Sequence, residues 1–264
     1  MFAHEAIRNA LIAGSPIALA SGLIGWFVVV RSEVFAGDAL SHVAFTGAVA
    51  AAAIAVNLRV GLFAACIATA LLIALAGVRG RVEDVAIGVV LTGILGLGVL
   101  CLHLVATGEL GGNGTIAAET LFGSLYSLGS SQALLGAAVG GAIVVSLLVL
   151  ARPLVFASLQ GEVARAQGIP IGLLGASFMA LLGADVAEAA QAVGAMLLLG
   201  LLAGPGGAAA RLTARPFAGM ALAAAIALAA LWGGVAISYA VPAIPPASAI
   251  IAIVALAHLG SLAL

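Results

Sequence analysis

Long apolar segments separated by short polar ones run along the whole chain of 264 residues. The hydrocarbon core of a bilayer is about 30 Å thick and an α-helix rises about 1.5 Å per residue, so a helix that crosses it needs about 20 apolar residues. The pattern therefore predicts an all-α, polytopic bundle of transmembrane helices. The candidate spans lie at residues 9–30, 39–57, 60–77, 85–105, 132–151, 171–187, 191–206, 217–240 and 247–263.

The sixth and seventh candidate spans are not clearly separated. Within residues 171–205, only Asp185, Glu188 and Gln191 interrupt the apolar run. The run is compatible with a tight hairpin of two spans and with one long broken helix, so the pattern predicts eight or nine spans. Because no linker or repeat divides the chain, residues 1–264 are expected to form a single transmembrane domain.

The composition excludes a soluble protein. Hydrophobic residues make up 64% of the chain and charged residues 7%, whereas soluble domains average about 25% charged residues. The nine cationic residues are all arginines, so the chain has neither the basic patch of a nucleic-acid-binding protein nor the lysine of a phosphate-binding P-loop. ATP hydrolysis, if it drives this protein, therefore belongs to another chain. Cys66 and Cys101 lie in apolar segments and are expected to be core residues.

The arginines predict the orientation of the chain in the membrane, because cytoplasmic loops carry an excess of positive charge. With nine spans, a cytoplasmic connection after the fifth span leaves two arginines outside, Arg8 and Arg59. The seven on the cytoplasmic side are then Arg31, Arg79, Arg81, Arg152, Arg165, Arg211 and Arg215. This arrangement places the N-terminus outside and the C-terminus inside.

Ionisable residues in apolar spans mark candidate functional sites, because each costs about 2.5–3.5 kcal/mol on insertion scales. The strongest cluster is GDALSH at residues 37–42, in which Asp38 and His42 are four residues apart and share a helix face, with Ser41 and Thr46 beside them. A carboxylate oxygen and an imidazole nitrogen suit Zn²⁺, or Mn²⁺ if more oxygens join. In the alternative interpretation, Asp38 caps the second helix and His42 hydrogen-bonds a neighbouring helix.

Three further residues are weaker candidates for a metal path. His103, in the fourth span, either adds a ligand from a neighbouring helix or is a hydrogen-bonded interhelical histidine. Asp185 and Glu188 share a face near the turn between the sixth and seventh spans. They form either an outer mouth that attracts metal ions or simply a solvated turn.

A short polar segment at residues 158–168 separates the fifth and sixth spans on the arginine-rich side. Ser158 can cap a short helix, Gly168 can end it, and the following proline prevents its continuation. Bilayer packing does not require such a helix. It is therefore either a docking element for a cytoplasmic partner, through Glu162 and Arg165, or an interfacial connector.

Several motifs together resemble the membrane permease subunits of bacterial zinc and manganese ABC importers. They follow the order of that family over about residues 31–248. The motifs are GDALSH at 37–42, EDVAIG at 83–88, LFGSL at 121–125, EVARAQGIP at 162–170, AVGAMLL at 192–198 with Pro205 and AAAR at 208–211, and ISY at 237–239 with Pro245. Two departures are Phe45-Thr46 in place of Leu-Pro, and Ala240-Val241 where many relatives carry a histidine or an acidic residue.

The resemblance implies a type II ABC importer permease, which is a transport subunit of the bacterial cytoplasmic membrane and not an enzyme. It implies a homodimer with two cytoplasmic ATPase chains, an extracytoplasmic metal-binding protein and no permanently bound cofactor. Asp38 and His42 would belong to the metal path, and Glu162, Arg165 and Gly168 to the ATPase contact. Because imidazole suits Zn²⁺, zinc is the favoured cargo, with manganese or iron as alternatives. An ion-coupled secondary transporter with broken helices is the second hypothesis.

Overall fold

The computed structural model describes residues 5–77, 84–107, 123 and 125–263. Over these residues the chain forms α-helices and one short 3₁₀ helix, Leu125–Ser127, and no strand. The α-helices are α1 (Glu5–Val30), α2 (Val34–Ala53), α3 (Leu58–Ala76), α4 (Asp84–Thr107), α5 (Ser130–Leu159), α6 (Gly161–Ala166), α7 (Ile171–Ala192), α8 (Ala195–Leu212), α9 (Pro216–Ala240) and α10 (Pro246–Gly260).

The predicted polytopic helical bundle is confirmed. Among the described residues, 7 helices are long and apolar enough to cross a membrane, namely α1 to α5, α7 and α9, while α8 and α10 are shorter apolar helices. The boundary between the sixth and seventh spans differs from the prediction, because α7 continues to Ala192 and the chain turns at Val193–Gly194. Gly194 has a φ of 94°, a conformation that glycine adopts without steric cost.

The starts of two helices also differ from the sequence-based interpretation. Ser158 does not cap α6, because it lies inside α5, where its hydroxyl donates to the Leu154 carbonyl at 2.6 Å. Nor does Asp38 cap α2, which begins at Val34 with Glu33 in the N-cap position. Asp38 therefore lies in the second turn of α2, where its carboxylate is free for another role.

Small residues allow the central helices to approach one another closely. α1 packs against α5, α7, α8 and α9. Its Gly22 lies against the backbone of Ala223 in α9, and its Gly25 lies against the backbones of Leu202 and Gly206 in α8, with no room for a Cβ atom. Lipid provides no hydrophobic force between helices, so such close packing is what holds them together.

Side-chain contacts define the two ends of the bundle. The Ser130 hydroxyl donates to the Glu5 carboxylate at 2.9 Å at one end, and Arg31 donates to the Ser158 hydroxyl at 3.4 Å at the other. We call the second the α6 end, because α6 follows Ser158, and the first the opposite end. Arginines at the α6 end are Arg31, Arg152, Arg165, Arg211 and Arg215, while Arg8 and Arg59 are at the opposite end. Arg79 and Arg81 lie outside the described residues.

The positive-inside rule assigns the α6 end to the cytoplasm, and cysteine labelling tests this assignment. Gln167 is a suitable position for the labelled cysteine because it is exposed just after α6, whereas a position such as Ala157 is buried in α5. In a background with Cys66 and Cys101 replaced by alanine, Gln167→Cys should react with an impermeant maleimide only after the cells are permeabilised. Val56→Cys, exposed at the opposite end, is the matched control and should react in intact cells. The reverse pattern would invert the topology.

Candidate metal site

α2 is buried on most sides but leaves one open stripe. It packs against α3, α4, α7 and α8. Its partly exposed residues Phe35, Asp38, His42 and Phe45 follow a helical spacing and form this stripe. The side chains of His42 and Asp38 are 38% and 35% exposed. A carboxylate and an imidazole are costly in lipid, so this stripe is suited to face water or a second chain.

The Asp38–His42 pair leaves room for a third group between a carboxylate oxygen and an imidazole nitrogen. The Nε2 atom of His42 lies 4.0 Å from Oδ1 of Asp38, which is too long for a hydrogen bond. Both atoms are therefore available to a third group. If both atoms bound one metal ion at about 2.0–2.2 Å, they would lie about 3.0–3.5 Å from each other. The distance between them would then shorten by at most about 1 Å. No group of three or more His, Cys, Asp and Glu residues lies together in the described part of the chain.

The two hydroxyl residues beside the pair have different environments. The Ser41 hydroxyl donates to the Asp38 carbonyl oxygen at 2.7 Å, so it is bound within the helix. The Thr46 hydroxyl is buried against Gly98 of α4 and has no hydrogen-bond partner among the described residues. Since Gly98 has no side chain, α4 can approach α2 closely at this level.

The structure does not bring His103 to the Asp38–His42 pair. α4 begins shortly after α3 ends, so α2 and α4 run in the same direction and meet at Thr46 and Gly98. His103 lies five residues beyond Gly98, and His42 lies four residues before Thr46. At about 1.5 Å per residue, the two histidines are separated by about 13 Å along the bundle. His103 is exposed on α4 and stays a separate candidate.

Asp185 and Glu188 do not form the expected solvated turn. Both lie inside α7, and they are 1% and 4% exposed. The Ser21 hydroxyl of α1 donates to Oδ1 of Asp185 at 3.3 Å, and Arg59 of α3 donates to both carboxylate oxygens of Glu188 at 2.5 and 2.7 Å. Because an arginine neutralises Glu188 inside the protein, α7 extends past both residues. They link α7 to α1 and α3 and do not present an open acidic mouth.

The α6 end presents an exposed short helix beside a groove. Ala164 anchors α6 in the protein, while Glu162 and Arg165 are exposed. Gly168 has a φ of 78°, which ends this segment with a turn that favours glycine. The adjacent groove has a volume of about 510 Å³ and is lined by Arg152, Val155, Phe156, Leu159, Gln160 and Phe217. A projecting helix beside a concave surface is suited to contact a protein partner.

Sequence reasoning missed a second charged cluster, at Arg31 and Glu33. Both residues are buried, at 8% and 3% exposure, and they form an ion pair in the turn between α1 and α2. The distribution of arginines along a sequence indicates orientation in the membrane but does not reveal the partner of an individual side chain. The available signal was an arginine and a glutamate two residues apart, in the short connection between two apolar segments.

A bundle of apolar helices, an open stripe on α2 that carries Asp38 and His42, and an exposed helix at one end are the features of a transport permease. A family model described as "ABC 3 transport family" matches residues 3–264, and the chain belongs to this family. It is a permease subunit of metal ABC importers, a multi-pass protein of the bacterial cytoplasmic membrane, and not itself an enzyme.

Known proteins share both the sequence and the fold. The chain is 29% identical over 216 residues to "Manganese transport system membrane protein MntC" of Halalkalibacterium halodurans. The aligned residues cover 81% of this chain and 72% of that protein. It is 27% identical over 204 residues to "Probable iron transport system membrane protein" of Haemophilus influenzae, covering 76% and 73%. The solved structure "PsaBC from Streptococcus pneumoniae in complex with Fab" shares its fold with a TM-score of 0.83 at 23% identity, covering 98% of this chain and 91% of that chain.

Proposed function

We propose that this permease imports manganese and that Asp38 and His42 bind the ion as it crosses the membrane. The observation that carries the proposal is the position of this pair on the open stripe of α2, with neither Nε2 of His42 nor Oδ1 of Asp38 hydrogen-bonded within the described part of the chain. A buried helix that exposes an acid and an imidazole to one side provides a polar path through an apolar bundle.

The choice of manganese over zinc rests on the relatives and on the ligands. The relatives named above are described as manganese and iron transport proteins. The carboxylate of Asp38, together with water, supplies the oxygen-rich environment that Mn²⁺ prefers, whereas the imidazole of His42 is compatible with Zn²⁺ as well. The zinc preference expected from the imidazole alone is therefore replaced by manganese as the first candidate, with iron and zinc as competitors.

A site with few protein ligands suits transport. A closed four-ligand site holds a metal ion permanently, whereas a transported ion must bind and then leave. We propose that a second copy of the chain covers the α2 stripe, so that two Asp38–His42 pairs line one path between the copies. A homodimer of this kind adds ligands without creating a closed site in either chain.

We expect other chains to hydrolyse ATP and to deliver the metal ion to this permease. The sequence has no P-loop and no lysine, so we propose that two cytoplasmic ATPase chains bind at α6 and its adjacent groove. A metal-binding protein outside the cell would deliver the ion at the opposite end. Membership of an ABC family favours this arrangement over an ion-coupled secondary transporter.

Metal uptake in cells distinguishes the three candidate ions. Cells that express the importer should accumulate radioactive manganese, and cells lacking only this permease should not. Unlabelled Mn²⁺ should compete with the label more strongly than Fe²⁺ or Zn²⁺ does. Permease-dependent accumulation of zinc without manganese would contradict the proposal and restore the zinc assignment.

A further inference from the structure

The buried ion pair between Arg31 and Glu33 has well-defined geometry. The Nε atom of Arg31 donates to Oε2 of Glu33 at 2.9 Å, and its Nη2 atom donates to Oε1 at 2.8 Å. This bidentate arrangement fixes the guanidinium plane against the carboxylate. The turn between α1 and α2 is therefore held by two charge-assisted hydrogen bonds that are shielded from water.

Arg31 also contacts the two helices on either side of α6. Its Nη1 atom donates to the Ser158 hydroxyl of α5 at 3.4 Å, and its guanidinium carbon lies 5.1 Å from the centre of the Phe178 ring in α7. The Ser158 hydroxyl in turn donates to the Leu154 carbonyl at 2.6 Å. One arginine thus joins α5, α7 and the start of α2.

This cluster links the helices next to α6 with the start of the helix that carries the metal pair. Ser158 is three residues before α6 begins at Gly161, and α7 begins shortly after α6 ends. Glu33 occupies the N-cap position of α2, and Asp38 follows five residues later. A shift of α6 would move Ser158 and the start of α7, and Arg31 with Glu33 forms a polar link from there to α2.

A contribution to the free energy of unfolding does not by itself explain the presence of the Arg31–Glu33 ion pair. Replacing a buried ion pair with apolar residues of similar volume is often neutral or stabilising, because both charges lose their hydration on burial. A buried pair does impose a specific geometry, since separating the two charges would leave each of them buried without its counter-ion. The geometry that this pair fixes is that of the α2 start relative to the helices around α6.

We propose that Arg31 and Glu33 are positioning residues that couple movement of α6 to movement of the Asp38–His42 pair. The inference rests on the proposed function, because it assigns ATPase contact to α6 and metal binding to α2. The bidentate pair and the aromatic contact resist rotation of the guanidinium. α2 is continuous from Val34, so a displacement of Glu33 is carried to Asp38 within the first two turns.

The ratio of metal transported to ATP hydrolysed tests the inference. The importer would be reconstituted in liposomes with its ATPase and metal-binding protein, and the variants compared are Arg31→Gln/Glu33→Gln and Arg31→Lys. The double variant removes both charges and leaves no buried charge unpaired, and the lysine variant keeps the charge but loses the bidentate fork. We expect the ratio to fall about tenfold in the double variant, with basal ATPase activity and manganese binding unchanged.

Arg59→Gln/Glu188→Gln is the matched control, because it removes another arginine–glutamate ion pair, with a buried glutamate, at the opposite end of the bundle. Its transport ratio should stay at the wild-type value. An unchanged ratio in Arg31→Gln/Glu33→Gln, or an equal fall in both double variants, would overturn the inference. If the first double variant does not fold, a wild-type ratio in Arg31→Lys would overturn it instead. Absence of metal transport in the wild-type importer would contradict the proposed function itself.

Discussion

Replacing His42 with alanine is expected to abolish metal uptake while the protein remains folded in the membrane. The His42 side chain is 38% exposed, and its Nε2 atom lies 4.0 Å from a carboxylate oxygen of Asp38, which is itself 35% exposed, so removal of the imidazole does not leave that carboxylate buried and unpaired. Loss even of groups that support metal ligands costs about 10–100-fold in affinity, and loss of a ligand should cost at least that much. Asp38→Asn keeps the shape of the side chain, removes its charge and should have the same effect.

Uptake of radioactive manganese, normalised to the amount of permease in the membrane, measures this result. Ser41→Ala is the matched control, because Ser41 lies next to His42 and its hydroxyl is bound to the backbone of its own helix. This variant should take up metal normally. Wild-type uptake by both His42→Ala and Asp38→Asn would show that the metal does not pass along the α2 stripe.

Reversing the charge of Glu162 should separate ATP hydrolysis from transport. Glu162 is exposed on α6, where we expect it to meet a cationic group of the ATPase. Like charges placed together at an interface cost several kcal/mol, so Glu162→Arg should weaken the contact strongly without affecting the buried face of α6 around Ala164. The variant should insert at normal abundance but lose metal uptake and the stimulation of ATPase activity by the metal-loaded binding protein.

Glu162→Asp provides the control, because it retains the negative charge on a side chain one methylene shorter. It should keep most of the transport activity. Full transport by Glu162→Arg would mean that α6 is an interfacial connector and that the ATPase binds elsewhere. Loss of the protein from the membrane would be separated from uncoupling by measuring permease abundance in the same vesicles.

The sequence predicts the polytopic helical bundle and the approximate limits of its helices, because bilayer thickness requires apolar segments of about one length. It also predicts that Asp38 and His42 share a face, since four residues make about one helical turn. The boundary between α7 and α8 could not be predicted in this way. Glu188 pairs with Arg59, which lies 129 residues away, and hydropathy treats such a carboxylate as solvated.

The position of His103 could not be predicted for a different reason. α4 is apolar around its whole circumference, with a mean hydropathy of 2.6 and little burial, so the pattern gives no information about which side faces α2. Only the close approach at Gly98 fixes its height and rotation. The second candidate span begins at residue 39, whereas α2 begins at Val34, because hydropathy does not reveal that Arg31 and Glu33 are buried as an ion pair.

The pairing of Arg59 with Glu188 also constrains how the protein is made. Ribosomes add roughly 5–20 residues per second, so a separation of 129 residues leaves Arg59 without its carboxylate for on the order of ten seconds during synthesis. Arg59 lies near the start of α3, from which its long side chain can reach the membrane surface until Glu188 has been synthesised. The nascent helices α1 to α4 must therefore leave a gap beside α3 until the translocon releases α7 with its glutamate.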